Sequence, residues 1–339
     1  MGQRKKLRDI VGAMKDRGSL VRASLSTKPA VSAARSTVIR ATTHKSAAAP
    51  AEHRVAALLS LGLGSDITAS ACVRYLTGRL RRTRNAFVAL KCLFALHSIM
   101  IHRSSHDRNL CLYSFSFEGK GFLNLLKFND GFDREAKEYS SWVRWYAASL
   151  EQSLTASRAL GYVLSSSSSL SPSSRSQVKS EYKREKIRAA TSSDLIRELE
   201  VLVSCLEQVS DVPESLHLQK HDLVHGVVRS VCQDYRMIRR EVFSRVEELG
   251  GDERLGSLSL GHLTRLLIAL GRIEDYRAKL ISLFANKANR DGLWDLIAQT
   301  EKKICGLIRG SDRGLMVVPG GAWQPRQDRF PSNALTTVW

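Results

Sequence analysis

The sequence predicts an all-α chain of long helices and short connections. Antiparallel neighbours would stack into a superhelical bundle that grades into a solenoid. Three observations predict it. Apolar residues recur at spacings of three and four, as in Phe87, Leu90, Phe94, His97 and Ile101, the period of one helix face. No stretch of any length alternates apolar and polar residues with the period of two that a half-buried strand needs. Breaks rich in Gly, Pro and Ser fall between the periodic runs. No fixed-period repeat accompanies the stacking.

The elements follow in order. Leu7, Ile10, Val11 and Met14 form a short stripe flanked by Lys5, Lys6, Arg8, Lys15 and Arg17. This predicts a short basic amphipathic helix. It is either the first packed helix of the domain or a helix lying in a lipid interface. Residues 18–30 read as a Ser-rich break ending at Lys28-Pro29, followed by a helix from Ala30 to Thr43. After a small-residue loop, Pro50 opens a helix carrying Val55, Leu58 and Leu59, and Gly62 and Gly64 end it. Ser65 or Asp66 caps the next one. Residues 84–102 and 107–128 read as helical, and Phe132 to about Leu164 as one long helix with Trp142 and Trp145 in the core. Ser165–Ser176 is low in complexity (SSSSSLSPSSRS), and the basic stretch Lys179–Arg188 extends it, which predicts a flexible insertion over about 165–192, partly helical at its end. Helical pattern resumes at Ser193 and continues over 216–248, 259–285 and 293–307. The expected organisation is one helical domain over 1–308 and an irregular tail over 309–339.

Charge narrows the function. The chain has 339 residues, 52 Lys and Arg against 33 Asp and Glu, and a net charge of +19. Residues 1–54 hold 12 of the cations and 3 of the acids, so the excess is local and one-signed, as an anion-binding surface requires. Six cysteines without a CxxC pair read as buried free thiols of a cytosolic protein. No run approaches the roughly 20 apolar residues of a membrane span. The amino terminus lacks the apolar segment of a signal peptide, and Lys6 stands where a myristoylation signal needs Ser or Thr. The chain is therefore expected to be soluble, with only peripheral membrane contact. Phosphate-loop, dinucleotide-fold, nucleophile-elbow and zinc-protease motifs are absent, and the nine histidines have no metal spacing. The expectation is a binding protein rather than an enzyme, with no metal and no cofactor. His97, on an apolar stripe, reads as a satisfied core residue.

Three passages carry a resemblance. Arg40-Ala41-Thr42-Thr43-His44 resembles the basic-Ala-Thr-Thr/Asn-His start of ANTH domains. Val88-Ala89-Leu90-Lys91-Cys92-Leu93-Phe94-Ala95-Leu96-His97 resembles the helix that carries a conserved Lys and His in that family. Tyr139-Ser140-Ser141-Trp142-Val143-Arg144-Trp145-Tyr146-Ala147 is similar to its Y-S-x-W-V-R-x-Y-A segment. With the order of the later helices around 195–285, the resemblance covers roughly residues 5–308, interrupted by the Ser-rich insertion, and looks closest to the plant clathrin-assembly proteins. The resemblance implies a phosphoinositide-binding adaptor at clathrin-coated pits and vesicles, the plasma membrane and the Golgi. The partners it implies are phosphatidylinositol 4,5-bisphosphate, clathrin and a SNARE helix.

The family's headgroup motif is a Lys, nine residues, a Lys/Arg, one residue, a Lys/Arg, then His/Tyr. Here its positions fall on Arg40, Pro50, Glu52 and His53, so two match and one is reversed in charge. Several cations on one exposed face are what a multiply phosphorylated headgroup needs. The candidate headgroup set is Lys28, Arg35, Arg40, His44, Lys45, His53 and Arg54. The candidate membrane-facing helix is Lys5, Lys6, Leu7, Arg8, Ile10, Val11, Met14 and Lys15. The chain lacks the Asp-Leu-Leu, Asp-Pro-Phe and Asn-Pro-Phe motifs with which family tails recruit coat proteins. Two other classes stay open. A lipid-independent helical scaffold is compatible with the incomplete motif. A basic nucleic-acid binder accounts for the charge alone, and no nucleic acid is expected because no recognition motif is present.

Overall fold

The computed structural model describes residues 2–25, 29–45, 49–62, 66–103, 121, 123–164, 174–215, 221–284 and 292–314. Among them lie thirteen helices and no strand. The first five are α1 (Gly2–Ser24), α2 (Pro29–Ala41), α3 (Glu52–Gly62), α4 (Asp66–Arg82) and α5 (Ala86–Arg103). Then come α6 (Arg134–Leu160), α7 (Ser174–Ala189), α8 (Ser192–Ser210), α9 (Asp222–Leu249) and the single turn α10 (Asp252–Gly256). The last are α11 (Leu260–Asp275), α12 (Arg277–Phe284) and α13 (Leu293–Gly314).

Most neighbours in sequence are neighbours in space. α1 packs on α2, α2 on α4, α4 on α5, α5 on α6, α6 on α8, and α8 on both α9 and α11. α3 fits beside α2, α4 and α5, and α13 closes the far end against α9 and α11. One apolar core runs through the stack from Ala34 in α2 to Ile304 in α13, and among the described residues α1 contributes no side chain to it. The α6 segment supplies the largest members. Trp142 and Trp145 meet edge to face at 5.6 Å, and their indole N–H groups donate to Ser215 Oγ and the Gln208 carbonyl. A buried indole needs such a partner. His97 is satisfied as expected, by the Tyr146 hydroxyl at 2.8 Å and the Asp234 carboxylate at 3.0 Å.

Local chemistry sets the helix ends. Asp133 accepts the Ala136 amide at the start of α6, and Gly161 ends that helix at φ +69°, a conformation that costs glycine nothing. Thr191 and Ser259 cap α8 and α11 in the same way.

Four expectations are corrected. The first helix does not stop near residue 18: it runs to Ser24, because Ala23 is buried and its carbonyl accepts the Ser32 hydroxyl. The helix expected over 107–128 is turns from Leu123 to Phe128. Glu151 captures the Gly121 and Leu123 amides that a helix would have used. The rest of that stretch, and Cys111, lie outside the described residues apart from Gly121. The helix expected over 259–285 breaks at Tyr276, whose amide bonds three residues back to Ile273, and α12 then stacks Phe284 on Tyr235 at 4.2 Å. The helical end expected for the Ser-rich insertion is found, as α7. Its Lys183 pairs with Glu241 at 2.8 Å and its Ile187 joins the core. At the far end α13 runs to Gly314, past residue 308.

The C-terminal half carries a buried ionic cluster. Arg245 is fully enclosed and binds Glu198 at 2.7 Å and Glu241 at 2.9 Å, while its remaining Nη2 hydrogen meets the Tyr162 hydroxyl. This joins α8, α9, α7 (through Lys183) and the segment after α6. Removing one partner of such a set strands buried charge. Arg245→Met is expected to destabilise the chain by about 3–5 kcal/mol, read as a lower urea midpoint. An unchanged midpoint would show that the cluster does not hold these helices together.

Candidate membrane-docking face and its cleft

α1 is built inside out. Its inward residues are Arg8, Gly12, Asp16 and Ala23, which are polar or small, while five of its larger apolar residues are exposed. Leu7 is 63% exposed, Ile10 54%, Val11 42%, Met14 67% and Val21 60%. An amphipathic helix in a globular domain normally does the reverse. Lys6, Lys15 and Arg17 flank the outward stripe and are exposed. Lys5 lies in the helix, and its side chain is outside the described set.

Polar contacts hold α1 in place. Asp16 accepts the His44 backbone amide at 2.8 Å, contacts His44 Nδ1 at 2.7 Å and accepts from Arg79 Nη2 at 2.8 Å. The same Arg79 nitrogen donates to the Thr42 carbonyl. Burial pushes the Asp16 carboxyl up, but its bonds to His44 and Arg79 outweigh this and leave it below the usual carboxylate range. At the other end of α1, Arg8 pairs with Asp130 and lies 4.5 Å over the Phe132 ring. Gly12 allows the approach: a Cβ there would fall 2.5 Å from His44 Cβ.

The Thr42–Lys45 turn is fixed from behind. Lys91, buried in α5, donates to the Thr43 and Lys45 carbonyls at 3.2 and 2.6 Å. Burial lowers its ammonium to about 8; Asp16 opposes that shift, and Arg54 and Lys45 add to it. Arg54 Nη1 donates to the Arg40 carbonyl at 3.0 Å. Arg40, Lys45 and His53 are exposed and Arg54 is half-buried. Glu52 sits in the first turn of α3, where a carboxylate complements the helix dipole.

The candidate headgroup residues therefore divide. Arg40, Lys45, His53 and Arg54 surround the loop between α2 and α3. Arg35 and His44 instead line a cleft between α1 and the wall made by α2 and α4, and His44 is committed to Asp16. Lys28 lies outside the described residues. Leu7, Arg8, Val11 and Lys15 also reach the cleft, while Ile10 and Met14 do not. Sequence reasoning missed Arg79, Arg82 and Arg84, which line it too. The signal was present in Gly78-Arg79-Leu80-Arg81-Arg82-Thr83-Arg84, a cationic run at a helix end. Among the described residues no group of His, Cys, Asp and Glu could hold a metal, and no helix is long and apolar enough to cross a membrane.

Two outcomes are expected. Gly12→Val forces α1 off His44, so hydrogen exchange quickens in α1 while the α5 and α6 amides keep their protection. Uniform exchange throughout would contradict a separately held α1. The second concerns Lys91. Its folded pKa lies below the unfolded value of about 10.4, so the cost of its charge is full below about pH 8 and is relieved as pH rises. Between these values the unfolded chain binds the extra proton, and stability rises with pH. Wild type should therefore gain on Lys91→Met between pH 7.5 and 10 in paired urea denaturations; a constant difference would refute the assignment.

Comparison with known proteins agrees with the fold. The ANTH domain family matches residues 33–224. Two Arabidopsis thaliana proteins, each named "putative clathrin assembly protein", are similar over most of the chain. One is 34% identical over 308 residues, covering 89% of this chain and 82% of the relative. The other is 28% identical over 312 residues, covering 87% and 86%. The match spans α2 to the start of α9, including the turn that holds α1, and the chain belongs to the ANTH-domain clathrin-assembly family.

Proposed function

We propose that this chain is a non-enzymatic adaptor that docks on anionic, phosphoinositide-rich membrane and links it to a clathrin coat during vesicle formation. The outward apolar stripe of α1 carries the proposal. Fully burying one side chain of this size is worth about 1.5–3 kcal/mol. Ile10, Met14 and Val21, which lie off the cleft and are roughly half to two-thirds exposed, offer a few kcal/mol on entering the headgroup boundary, and Leu7 and Val11 border the cleft beside them. Each nearby cation adds on the order of 1 kcal/mol against an acidic leaflet. Arg40, Lys45, His53 and Arg54 would supply headgroup contacts. The Pro50 and Glu52 departures reduce selectivity for one headgroup rather than attraction to charge. Clathrin enters through the names of the relatives. A SNARE helix among the C-terminal helices, and residence at coated pits, plasma membrane and Golgi, follow from the family resemblance.

Vesicle sedimentation tests the reading. Wild type should pellet with phosphatidylcholine vesicles carrying phosphatidylinositol 4,5-bisphosphate and remain free with phosphatidylcholine alone. Ile10→Glu/Met14→Glu should reduce binding at least tenfold, and Arg40→Glu/Lys45→Glu severalfold. Equal pelleting with phosphatidylserine vesicles of matched charge would remove headgroup recognition, and no pelleting with either would remove membrane docking. Vesicle-bound chain should also recruit purified clathrin above a protein-free control; failure would sink the coat half of the proposal.

A further inference from the structure

Ser19 lies in the later half of α1, on the side that lines the cleft. Hydroxyls in other helices fold back on the backbone. Ser98, Ser149, Ser157 and Ser230 each donate to the carbonyl four residues earlier, and Ser24 of α1 donates to the one three earlier. Ser19 is half-buried, and among the described residues its hydroxyl has no hydrogen-bond partner. It faces open space. The cleft has a volume of about 1170 Å³, and a Cβ on the neighbouring Gly18 would meet nothing within 4 Å.

Its neighbours on the helix face are cations. Lys15 stands four residues before Ser19 and Arg22 three after, so their Cβ atoms lie about 5–6 Å from that of Ser19. Both line the same cleft, and among the described residues neither has a carboxylate partner. Asp16, three residues before, adjoins this face, but its carboxylate is engaged by His44 and Arg79. The helix is also easy to open here. Gly18 lowers helix propensity, and nothing packs where its side chain would be. Beyond Asp16, the side-chain hydrogen bond from the bundle among the described residues is that of Ser32 to the Ala23 carbonyl. A segment held by so few contacts opens locally at far less cost than global unfolding.

We propose that Ser19 is a phosphorylation site, whose phosphate is held by Lys15 and Arg22 and releases the chain from acidic membrane. The modifying enzyme is an ATP-dependent protein kinase that reads basic side chains, here Lys15, Arg17 and Arg22 around an opened turn. The bond between the γ-phosphorus of ATP and its bridging oxygen breaks, and a bond from that phosphorus to Ser19 Oγ forms. The hydroxyl proton passes to the kinase's catalytic carboxylate, and ADP leaves. The product adds about 1.5–2 negative charges near neutral pH. Two cations of α1 are then matched by the chain itself rather than by lipid, and an acidic leaflet repels the added charge. The release rests on the docking reading; the site and its cation pair do not.

The test uses the full chain. Incubation with Mg-ATP and the catalytic fragment of protein kinase C, a kinase that reads basic residues, should place phosphate on Ser19 in peptide mapping. Phosphate elsewhere with Ser19 unmodified, or none, would overturn the site. Phosphoserine installed genetically at position 19 then separates the consequences from the kinase. By phosphorus NMR its phosphate should titrate about half a pH unit lower than in the same phosphoprotein carrying Lys15→Ala/Arg22→Ala, as two helical ion pairs imply. Identical titration would overturn the pairing. In sedimentation with vesicles carrying phosphatidylinositol 4,5-bisphosphate, phosphoserine at 19 should weaken binding by about tenfold. Phosphoserine at the exposed Ser282 of α12 adds the same charge far along the chain and should leave binding within about twofold. Unchanged binding with phosphoserine at 19, or equal loss at both positions, would overturn the release. No pelleting of the unmodified chain removes docking and the release with it, while mapping and titration still decide the site.

Discussion

The Asp16 carboxylate ties three pieces of chain together. It meets the α2–α3 turn through His44 and α4 through Arg79. Its position decides which way α1 is turned. With a charged group facing the bundle, the apolar residues a third to a half of a turn away are carried outward. The cleft then follows from the same contact, since Arg8 and Asp16 hold the helix at separate points and space remains between it and the wall. This is an unusual use of a partly buried ion pair, which more often contributes little to stability. Here it contributes orientation.

Much of the fold was legible because helical period and burial agree along α5, α6, α8 and α9. Their stripes face the core, and residues such as Leu90, Trp142, Leu199 and Val242 are enclosed. The failures have local causes. Tyr276 breaks a periodic run through a backbone bond that no side-chain pattern reveals. The turns at 123–128 depend on Glu151, which is distant in sequence. α7 is polar, and the Lys183–Glu241 pair with the burial of Ile187 holds it against α9 and the core. The site was legible in its charge and not in its arrangement. Periodicity shows that α1 has two faces but cannot say which is inside. The Thr42-Thr43-His44 segment carried the family resemblance, and the structure shows it as the clasp for α1.

Charge is partitioned along the stack. Toward α8–α13, guanidinium groups meet carboxylates across neighbouring helices and reinforce the packing. Toward α1–α4, among the described residues, Lys15, Arg22, Arg35, Arg82 and Arg84 line the cleft without a carboxylate partner, while Arg40, Lys45 and Arg54 lie near the adjoining turn. Self-repulsion at that end is the cost of gathering like charges there. Lys91 shows how far this goes: its ammonium is buried, satisfied by carbonyls and depressed by burial and by its basic neighbours.

The apolar core begins at Ala34. The first helix is joined to the bundle through Arg8, Asp16 and Ala23 and not through that core. Residues on its outward face can therefore be exchanged without disturbing core packing, whereas those three positions are tied to the rest of the molecule.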